Sequence, residues 1–207
     1  MSEPDWLVWA RELQAIAQTG LAFTDSQYDI DRYRAIARLA AAMMAAGSDL
    51  PASRIADLFA GEAGYATPKV DVRGAVIRGD EILLIREASD GRWALPGGWA
   101  DVNQSPSECV VREIFEESGY EARAIKLAAV WDRRRQGHHP PLPFHIYKLF
   151  FLCELVGGTA RPSHETTAVG FFRPDALPEL STGRTLARQI HRMFDHRRDP
   201  TLPTDFD

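Results

Sequence analysis

Cysteine is scarce in this sequence. Only two of the 207 residues are cysteines, Cys109 and Cys153, too few for a disulfide-stapled scaffold or a cysteine-based zinc site. Cys109 falls within a predicted helix and Cys153 within an apolar run, so both are expected to be buried thiols. This usage fits a reducing compartment, and we expect the protein to be cytoplasmic.

Long hydrophobic runs and a positive charge balance are also missing. No apolar run approaches the roughly 18 residues that a membrane-spanning helix requires, and the acidic start, MSEPDW, lacks the features of a signal peptide. The net charge of −5 argues against a general nucleic-acid-binding surface. We therefore expect no membrane partner, and nucleic acid is a disfavoured partner.

What the sequence does contain is an acidic helix that follows a glycine-rich loop. Ser105, with Glu108 three residues later, is typical of a capping box at a helix start. Pro106 suits the first helical position, where no hydrogen-bond donor is lost, and Gly119 is a natural stop. These signals predict a helix over Pro106–Ser118.

Three carboxylates share one face of this helix. Glu113, Glu116 and Glu117 are spaced i, i+3, i+4, and like charges at that spacing, near the negative end of the helix dipole, are unfavourable. A bound cation would compensate, and carboxylate oxygens favour hard ions such as Mg²⁺, Mn²⁺ or Ca²⁺. The alternative is a solvated acidic surface helix. In the preceding loop, the free carbonyl of Gly97 could join the metal ligands, with an ordinary tight turn as the alternative.

The order and spacing of these residues resemble the Nudix box. Gly98 takes the first position of that motif, and Arg112–Tyr120 supplies the run Arg-Glu-apolar-any-Glu-Glu-any-Gly-apolar. Gln104 departs from the pattern, because the family has Glu there. The resemblance implies an α/β fold, a Nudix-type α/β/α sandwich on a mixed sheet, and a hydrolase that uses Mg²⁺ or Mn²⁺. It also implies a metal-binding core formed by the three helix carboxylates, Glu113, Glu116 and Glu117.

Further catalytic roles follow from position. Arg112 precedes the carboxylates and is expected to orient one of them through a bidentate pair. Glu116 or Glu117 could act as the general base. In many Nudix enzymes an acidic residue in a later loop binds metal or activates water; Glu165 matches that place here, and Glu154 is the second choice. An exposed loop acid is the alternative for Glu165.

Candidate substrate contacts lie outside the helix. The stretch 132–143, DRRRQGHHPPLP, is either a solvated loop or, as the resemblance implies, a loop whose arginines meet substrate phosphates. Its adjacent histidines lack further ligands at zinc-site spacing. Three tryptophans either stack a nucleobase or belong to the core: Trp93, Trp99 and Trp131. The residues assigned to substrate binding are Arg86, Arg133, His145 and Tyr147; a core or surface role is the alternative for His145 and Tyr147, which share one strand face.

The chain opens with a helical segment. Apolar residues recur at helical spacing before Gly20, and further helices are predicted over Asp25–Ala46 and Pro51–Phe59. We predict a helical N-terminal domain and linker over residues 1–66 and a Nudix domain over residues 67–207. So few helices cannot hide all of their apolar surface, and they pack either on the following domain or in a homodimer.

The Nudix domain is expected to alternate strands with two helices. A second helix is predicted from about Thr182 to His196, with a solvated basic end, and the final residues, DPTLPTDFD, are expected to be loosely held. The main strands are predicted over 70–77, 82–85, 122–131, 144–155 and 168–172.

The sequence therefore predicts a metal-dependent hydrolase of a nucleoside diphosphate conjugate, which would release a nucleoside monophosphate and a phosphorylated product. The N-terminal segment resembles the helical extension of a bacterial Nudix subgroup associated with CDP-choline or ADP-ribose cleavage. Two alternatives stay open. One is a non-catalytic nucleotide sensor, suggested by Gln104, and the other is RNA-end processing, suggested by Arg133–Arg135.

Overall fold

The computed structural model describes residues 4–207, which form two compact units. One runs to Pro68 and includes Pro141–His145, and the other comprises Lys69–Pro140 and Ile146–Asp207. No helix in the described part of the chain is long and apolar enough to cross a membrane.

The N-terminal unit consists of three helices: α1 (Asp5–Phe23), α2 (Gln27–Ala46) and α3 (Ala52–Ala60). Helix α1 continues past Gly20, so the predicted stop at that glycine is wrong. The reason is packing: a Cβ on Gly20 would lie 2.3 Å from the ring of Tyr33 on α2. Gly20 therefore allows close approach of two helices. A small apolar core joins the three helices through Leu7, Ala10, Ala41, Met44 and Ile55.

The second unit is built on a seven-stranded mixed sheet. The strands are β1 (Lys69–Arg78), β2 (Glu81–Glu87), β3 (Trp93–Ala94), β4 (Tyr120–Asp132), β5 (Ile146–Gly158), β6 (Thr166–Phe172) and β7 (Asp205–Phe206). Their order is β3-β2-β1-β5-β4-β7, and β6 also pairs with β2. Strands β1 and β3 each pair with a short stretch of β2, whereas β6 pairs along most of its length. The β1–β5 and β4–β7 pairs are parallel and the others are antiparallel.

One helix covers each face of the sheet, because successive strand residues point to opposite faces. On one face, Val72 and Val76 of β1 pack in a cluster with Ile114 of α4 (Pro106–Ser118). On the other face, Ala75 and Ile77 pack in a cluster with residues of α5 (Ala187–Arg198), including Ile190 and Met193. The predicted α/β sandwich on a mixed sheet is confirmed. Both cysteines are buried free thiols, as expected.

Two element starts differ from the prediction. Strand β5 begins at Ile146 rather than Phe144, and Phe144 belongs to the N-terminal unit, with its ring 5.4 Å from that of Phe59. Helix α5 begins at Ala187 rather than Thr182, because the preceding residues form turns in which the amides of Arg184 and Thr185 donate to the Ser181 carbonyl.

The C-terminal tail is held firmly, so the expectation of a loose tail is wrong. Asp205 accepts from both Nε and Nη2 of Arg192, at 2.5 and 2.7 Å, and lies 3.1 Å from Nε2 of the fully buried His196. The expected solvated basic end of α5 is therefore partly neutralised by the tail. Arg192 and His196 also lower the pKa of the Asp205 carboxyl.

We expect Asp205→Asn to lower the free energy of unfolding by about 1–2 kcal/mol, since the amide removes the charge partner of Arg192 and His196. Urea unfolding near neutral pH would measure the loss. Asp175→Asn is the matched control, because Asp175 also pairs with an arginine, Arg173, but is exposed. Equal stability of the two variants would contradict the importance of the tail.

Candidate active site

Helix α4 begins and ends at the predicted residues. The Ser105 side chain accepts from the amide of Glu108, the Glu108 carboxylate accepts from the amide of Ser105 at 2.8 Å, and Pro106 opens the helix. Gly119 ends it with a φ of 75°, where a Cβ would meet the Thr159 carbonyl at 2.5 Å. Local capping therefore fixes where the acidic residues sit along the helix.

The glycine loop extends the sheet alongside β1. The amide of Gly74 donates to the Pro96 carbonyl at 2.9 Å, and that of Val72 donates to the Gly98 carbonyl at 2.8 Å. Gly97 lies between these bonds with a φ of 138°, and a Cβ there would lie 2.0 Å from the Val72 oxygen. Only glycine fits this position.

The loop and the helix meet at the carboxylates. The Gly97 amide donates to Oε2 of Glu117 at 2.7 Å, and a Cβ on Gly98 would lie 3.1 Å from Oε2 of Glu113. Within residues 4–207, no hydrogen bond ends on the Gly97 carbonyl oxygen. Among the described residues, no donor therefore competes with a ligand for that oxygen.

The three helix carboxylates have different environments. The side chains of Glu113 and Glu117 are buried or nearly so, whereas that of Glu116 is 54% exposed. Burial raises the pKa of Glu117 to about 8, against the opposing effects of Arg73 and of the Gly97 amide. Burial also raises the pKa of Glu113, opposed by Arg112. Two carboxylates are thus held where their charged forms are under-compensated.

Arg112 binds four oxygens around this cluster. Its guanidinium lies 2.6 Å from Glu116, 2.9 Å from Glu113 and 2.8 Å from Asp101, and its Nε donates to the amide oxygen of Gln104 at 3.1 Å. The geometry fits the predicted orienting role. It also explains how Gln104 can stand at this position, because its side-chain amide oxygen accepts the hydrogen bond from Nε of Arg112.

The oxygen atoms of the acidic helix and the glycine loop suit a hard cation, but their side chains do not converge on one point. Across residues 4–207, no three His, Cys, Asp or Glu side chains converge into a group that could hold a metal ion. Glu116 instead turns to Arg112. Glu113, Glu117 and the Gly97 carbonyl offer oxygen ligands with incompletely neutralised charge, which is the chemistry that Mg²⁺ and Mn²⁺ prefer.

Glu165 lies in a loop that is anchored to the end of α4. Its neighbour Thr166 donates from Oγ1 to the Glu117 carbonyl at 2.8 Å, while the Glu165 side chain is 60% exposed. Glu154, the second choice, is paired with Arg123. Of the two, Glu165 is the one whose loop contacts the acidic helix.

The four predicted substrate contacts differ in burial and in hydrogen-bond partners. Arg133 is buried and its Nη2 donates to the Pro140 carbonyl at 2.6 Å, whereas Arg86 is exposed and donates to the Gly91 carbonyl at 2.7 Å. Tyr147 is partly exposed on β5. His145 precedes that strand and belongs to the N-terminal unit. Their roles stay predictions.

The tryptophans divide clearly by exposure. Trp131 is buried, with its ring 5.0 Å from that of Phe150, and Trp93 packs edge-on against Phe172 at 4.6 Å. Trp99, next to the glycine loop, is 48% exposed. It is therefore the tryptophan available for stacking.

Sequence reasoning missed several buried charges near the site. Glu87 pairs with Arg184 at 2.9 Å, and burial raises the pKa of Glu87. On β1 and β5, Asp71, Arg73 and Lys148 form a buried ionic group. Polar residues within the apolar runs VDVRGAV and IYKLFF were the available signal, but alternation alone assigns such residues to solvent.

The comparisons with known proteins agree with this geometry. A family model for the NUDIX domain matches residues 68–194. The chain belongs to the Nudix hydrolase family. A second family model, described as a UDP-X-like, N-terminal oligomerisation domain, matches residues 4–59. Both resemblances drawn from the sequence, to the Nudix box and to a subgroup with a helical extension, are confirmed.

Relatives of this Nudix hydrolase include full-length matches. Bacillus subtilis YjhB, provisionally named as an ADP-ribose pyrophosphatase, is 46% identical over 98% of this chain and 97% of its own. The crystal structure of a UDP-X diphosphatase covers 100% of both chains at 32% identity, with a TM-score of 0.63. An ADP-ribose pyrophosphatase from Streptococcus suis covers 68% of this chain and 100% of its own, at 40% identity and a TM-score of 0.63.

His138, in the loop before β5, serves the fold of this Nudix hydrolase. Its Nδ1 lies 2.9 Å from the Thr182 carbonyl and its Nε2 lies 3.0 Å from the amide nitrogen of Gln189. These partners place the proton on Nδ1 and keep the ring neutral. Burial, with Lys148 and Arg133 nearby, lowers the pKa of His138 to about 3.

This burial predicts a loss of stability in acid. Below the ordinary histidine pKa of 6.5, His138 is protonated in the unfolded chain but stays neutral in the folded protein. The free energy of unfolding therefore falls as the pH drops. By about pH 5 the loss from His138 amounts to about 2 kcal/mol. His138→Gln should flatten this decline in urea unfolding, whereas His191→Gln, at an exposed position on α5, should retain it. Parallel pH profiles for His138→Gln and wild type would contradict the assignment.

Proposed function

We propose that this Nudix hydrolase cleaves the diphosphate bond of a nucleoside diphosphate conjugate with Mg²⁺ or Mn²⁺. The products would be a nucleoside monophosphate and a phosphorylated second moiety. The observation that carries the proposal is the hydrogen bond from the glycine loop to buried Glu117, with the largely buried Glu113 lying close to the same loop. Two under-compensated carboxylates beside a free carbonyl favour a cation, and a cation is what lets an acidic site accept a diphosphate.

Each residue of the site then has a role. Glu113, Glu117 and the Gly97 carbonyl would hold the cation, with Glu116 joining them when Arg112 releases it. The cation, when bound, neutralises phosphate charge and lowers the pKa of water. Arg112 fixes the direction of the carboxylates on the helix. Glu165, exposed in a loop tied to α4, is available to take the proton of the attacking water at its carboxylate oxygen.

The substrate class rests on the relatives. Two of them are named for ADP-ribose, and a solved relative is named for UDP-X, the last over the full length of this chain. All of these names describe a nucleoside diphosphate joined to another group. We place the nucleobase near Trp99, the exposed tryptophan beside the glycine loop.

A panel of conjugates tests this function. ADP-ribose, UDP-glucose and CDP-choline would each be incubated with Mg²⁺, with Mn²⁺ or with EDTA, and phosphatase-coupled phosphate release would be measured. We expect turnover of at least one conjugate with metal and none with EDTA. Thermal stabilisation by a conjugate without turnover would support the sensor alternative instead. Cleavage of capped RNA in preference to every conjugate would support RNA-end processing.

We expect Glu117→Gln to lower kcat at least about 100-fold, because it removes a charged ligand that no neighbour replaces. Its stability in EDTA should not fall, since a buried carboxylate is replaced by a neutral group. Glu121→Gln, at an exposed position just beyond the helix, is the control and should keep wild-type turnover. Wild-type kcat in Glu117→Gln would reject the metal role of Glu117.

We also propose that the N-terminal helices form a homodimer. Trp9, Ile16 and Phe23 recur every seven residues along α1 and are 57%, 48% and 74% exposed, which is the spacing of a helix–helix seam. Tyr28 and Leu39 of α2 are also exposed. The match of residues 4–59 to an oligomerisation domain supports this use of the surface.

Phe23→Glu combined with Ile16→Glu is expected to convert the dimer to a monomer, because two charges would be buried in an apolar interface. Sedimentation or light scattering would measure the mass. Val156→Glu, at an exposed apolar position on β5, is the control and should remain dimeric. A monomeric wild-type protein would refute the proposed assembly.

A further inference from the structure

A buried group of charges lies on one face of the sheet. Asp71 and Arg73 are two residues apart on β1, so their side chains share a face, and the register of the parallel strands places Lys148 of β5 beside Asp71. Asp71 accepts from Nε of Arg73 at 3.0 Å, from Nη2 at 2.8 Å, and from Nζ of Lys148 at 2.6 Å. All three residues are at most 6% exposed.

Stability does not explain this group. Removing charges from water is costly, and well-packed apolar residues are often as stabilising as a buried ion pair. Asp71 stays ionised, with its pKa lowered to about 2 against the cost of burial by Arg73 and Lys148. Burial lowers the pKa of Lys148 to about 7, opposed by Asp71, so Arg73 is the firmly charged partner of this carboxylate. The contact through two nitrogens holds the Arg73 guanidinium in one orientation.

The remaining nitrogen of Arg73 reaches the glycine loop. Nη1 donates to the Leu95 carbonyl at 3.1 Å, and the Leu95 amide donates to Oγ1 of buried Thr185 at 3.1 Å. Leu95 lies two residues before Gly97, whose amide binds Glu117. Both backbone groups of Leu95 are thus fixed by side chains just ahead of the metal-binding turn.

Arg73 also acts on the acidic cluster through its charge. It opposes the rise in the pKa of Glu117 and, less strongly, of Glu113 and Glu87. Lysine could supply the same charge, but only the planar fork of arginine can bind Asp71 with two nitrogens and Leu95 with a third. The arrangement therefore depends on arginine rather than on charge alone.

We infer that Arg73, oriented by Asp71 and Lys148, is a positioning residue that holds the Leu95–Gly98 turn in its ion-binding geometry. The inference rests on the proposed function, because it assumes that the Gly97 carbonyl and Glu117 bind the cation. Arg73 is 4% exposed, so the inference assigns it no contact with the substrate. It acts through its hydrogen bond to the Leu95 carbonyl and through the charge that it places near Glu117.

Measuring Mn²⁺ affinity in Arg73 variants distinguishes a role in positioning the ion-binding turn from a role in stability alone. Free Mn²⁺ would be titrated by electron paramagnetic resonance in wild type, Arg73→Met and Arg73→Lys, with kcat, KM and Tm measured in parallel. We expect Arg73→Met to weaken Mn²⁺ binding roughly 10- to 100-fold and to lower kcat, with KM changing by less than about threefold. The Mn²⁺ affinity of Arg73→Lys should lie between those of wild type and Arg73→Met, since lysine keeps the charge but loses the planar guanidinium. Arg78→Met, at a more exposed position on the same strand, should match wild type.

A second variant keeps the test decisive if Arg73→Met fails to fold. Thr185→Val preserves the shape and removes the acceptor for the Leu95 amide, so it should weaken Mn²⁺ binding in the same direction. If Thr185→Val and Arg73→Lys both bind Mn²⁺ and turn over substrate as wild type does, the inference is overturned while the proposed function stands. A wild-type protein with no metal-dependent turnover would overturn the proposed function and this inference with it.

Discussion

The hydrogen bond from the Gly97 amide to the Glu117 carboxylate, 2.7 Å long, joins the two halves of the site. It connects a backbone turn that has been built into the sheet to a side chain on the covering helix. Gly97 can occupy this position only because it lacks a Cβ. The Gly97 amide and Arg73 offset part of the cost of burying the Glu117 carboxylate. The other two helix carboxylates, Glu113 and Glu116, are held by Arg112.

Local chemistry made the acidic helix predictable. Its cap, first proline and terminal glycine act within a few residues of one another, so the sequence indicates both ends of α4. The sandwich is what the resemblance to the Nudix box implies, and the order of the predicted strands and helices is consistent with it. Gly20 shows where the same reasoning fails: a glycine was interpreted as a stop, but it serves a contact with Tyr33, which lies on another helix.

Residues whose partners lie far along the chain could not be placed in the same way. Arg73 and Lys148 look like solvent-facing positions of half-buried strands until helix α5 and the loops around it cover that face of the sheet. Asp205 belongs to a polar tail and becomes the partner of Arg192 and His196 only after the chain returns to the edge strand. In each case a long-range contact outweighs local pattern.

The departure at Gln104 shows how such contacts bear on chemistry. Taken alone, loss of a glutamate from a metal-binding motif suggests loss of activity. In the structure, Gln104 meets Arg112 through one amide oxygen, and Asp101 gives that arginine a carboxylate from the same loop. Asp101 therefore supplies the negative charge beside Arg112 and Gln104 supplies the hydrogen-bond acceptor, two functions that a single glutamate at position 104 could combine. Glu113 and Glu117, the carboxylates on which the proposed cation binding rests, are untouched by the exchange.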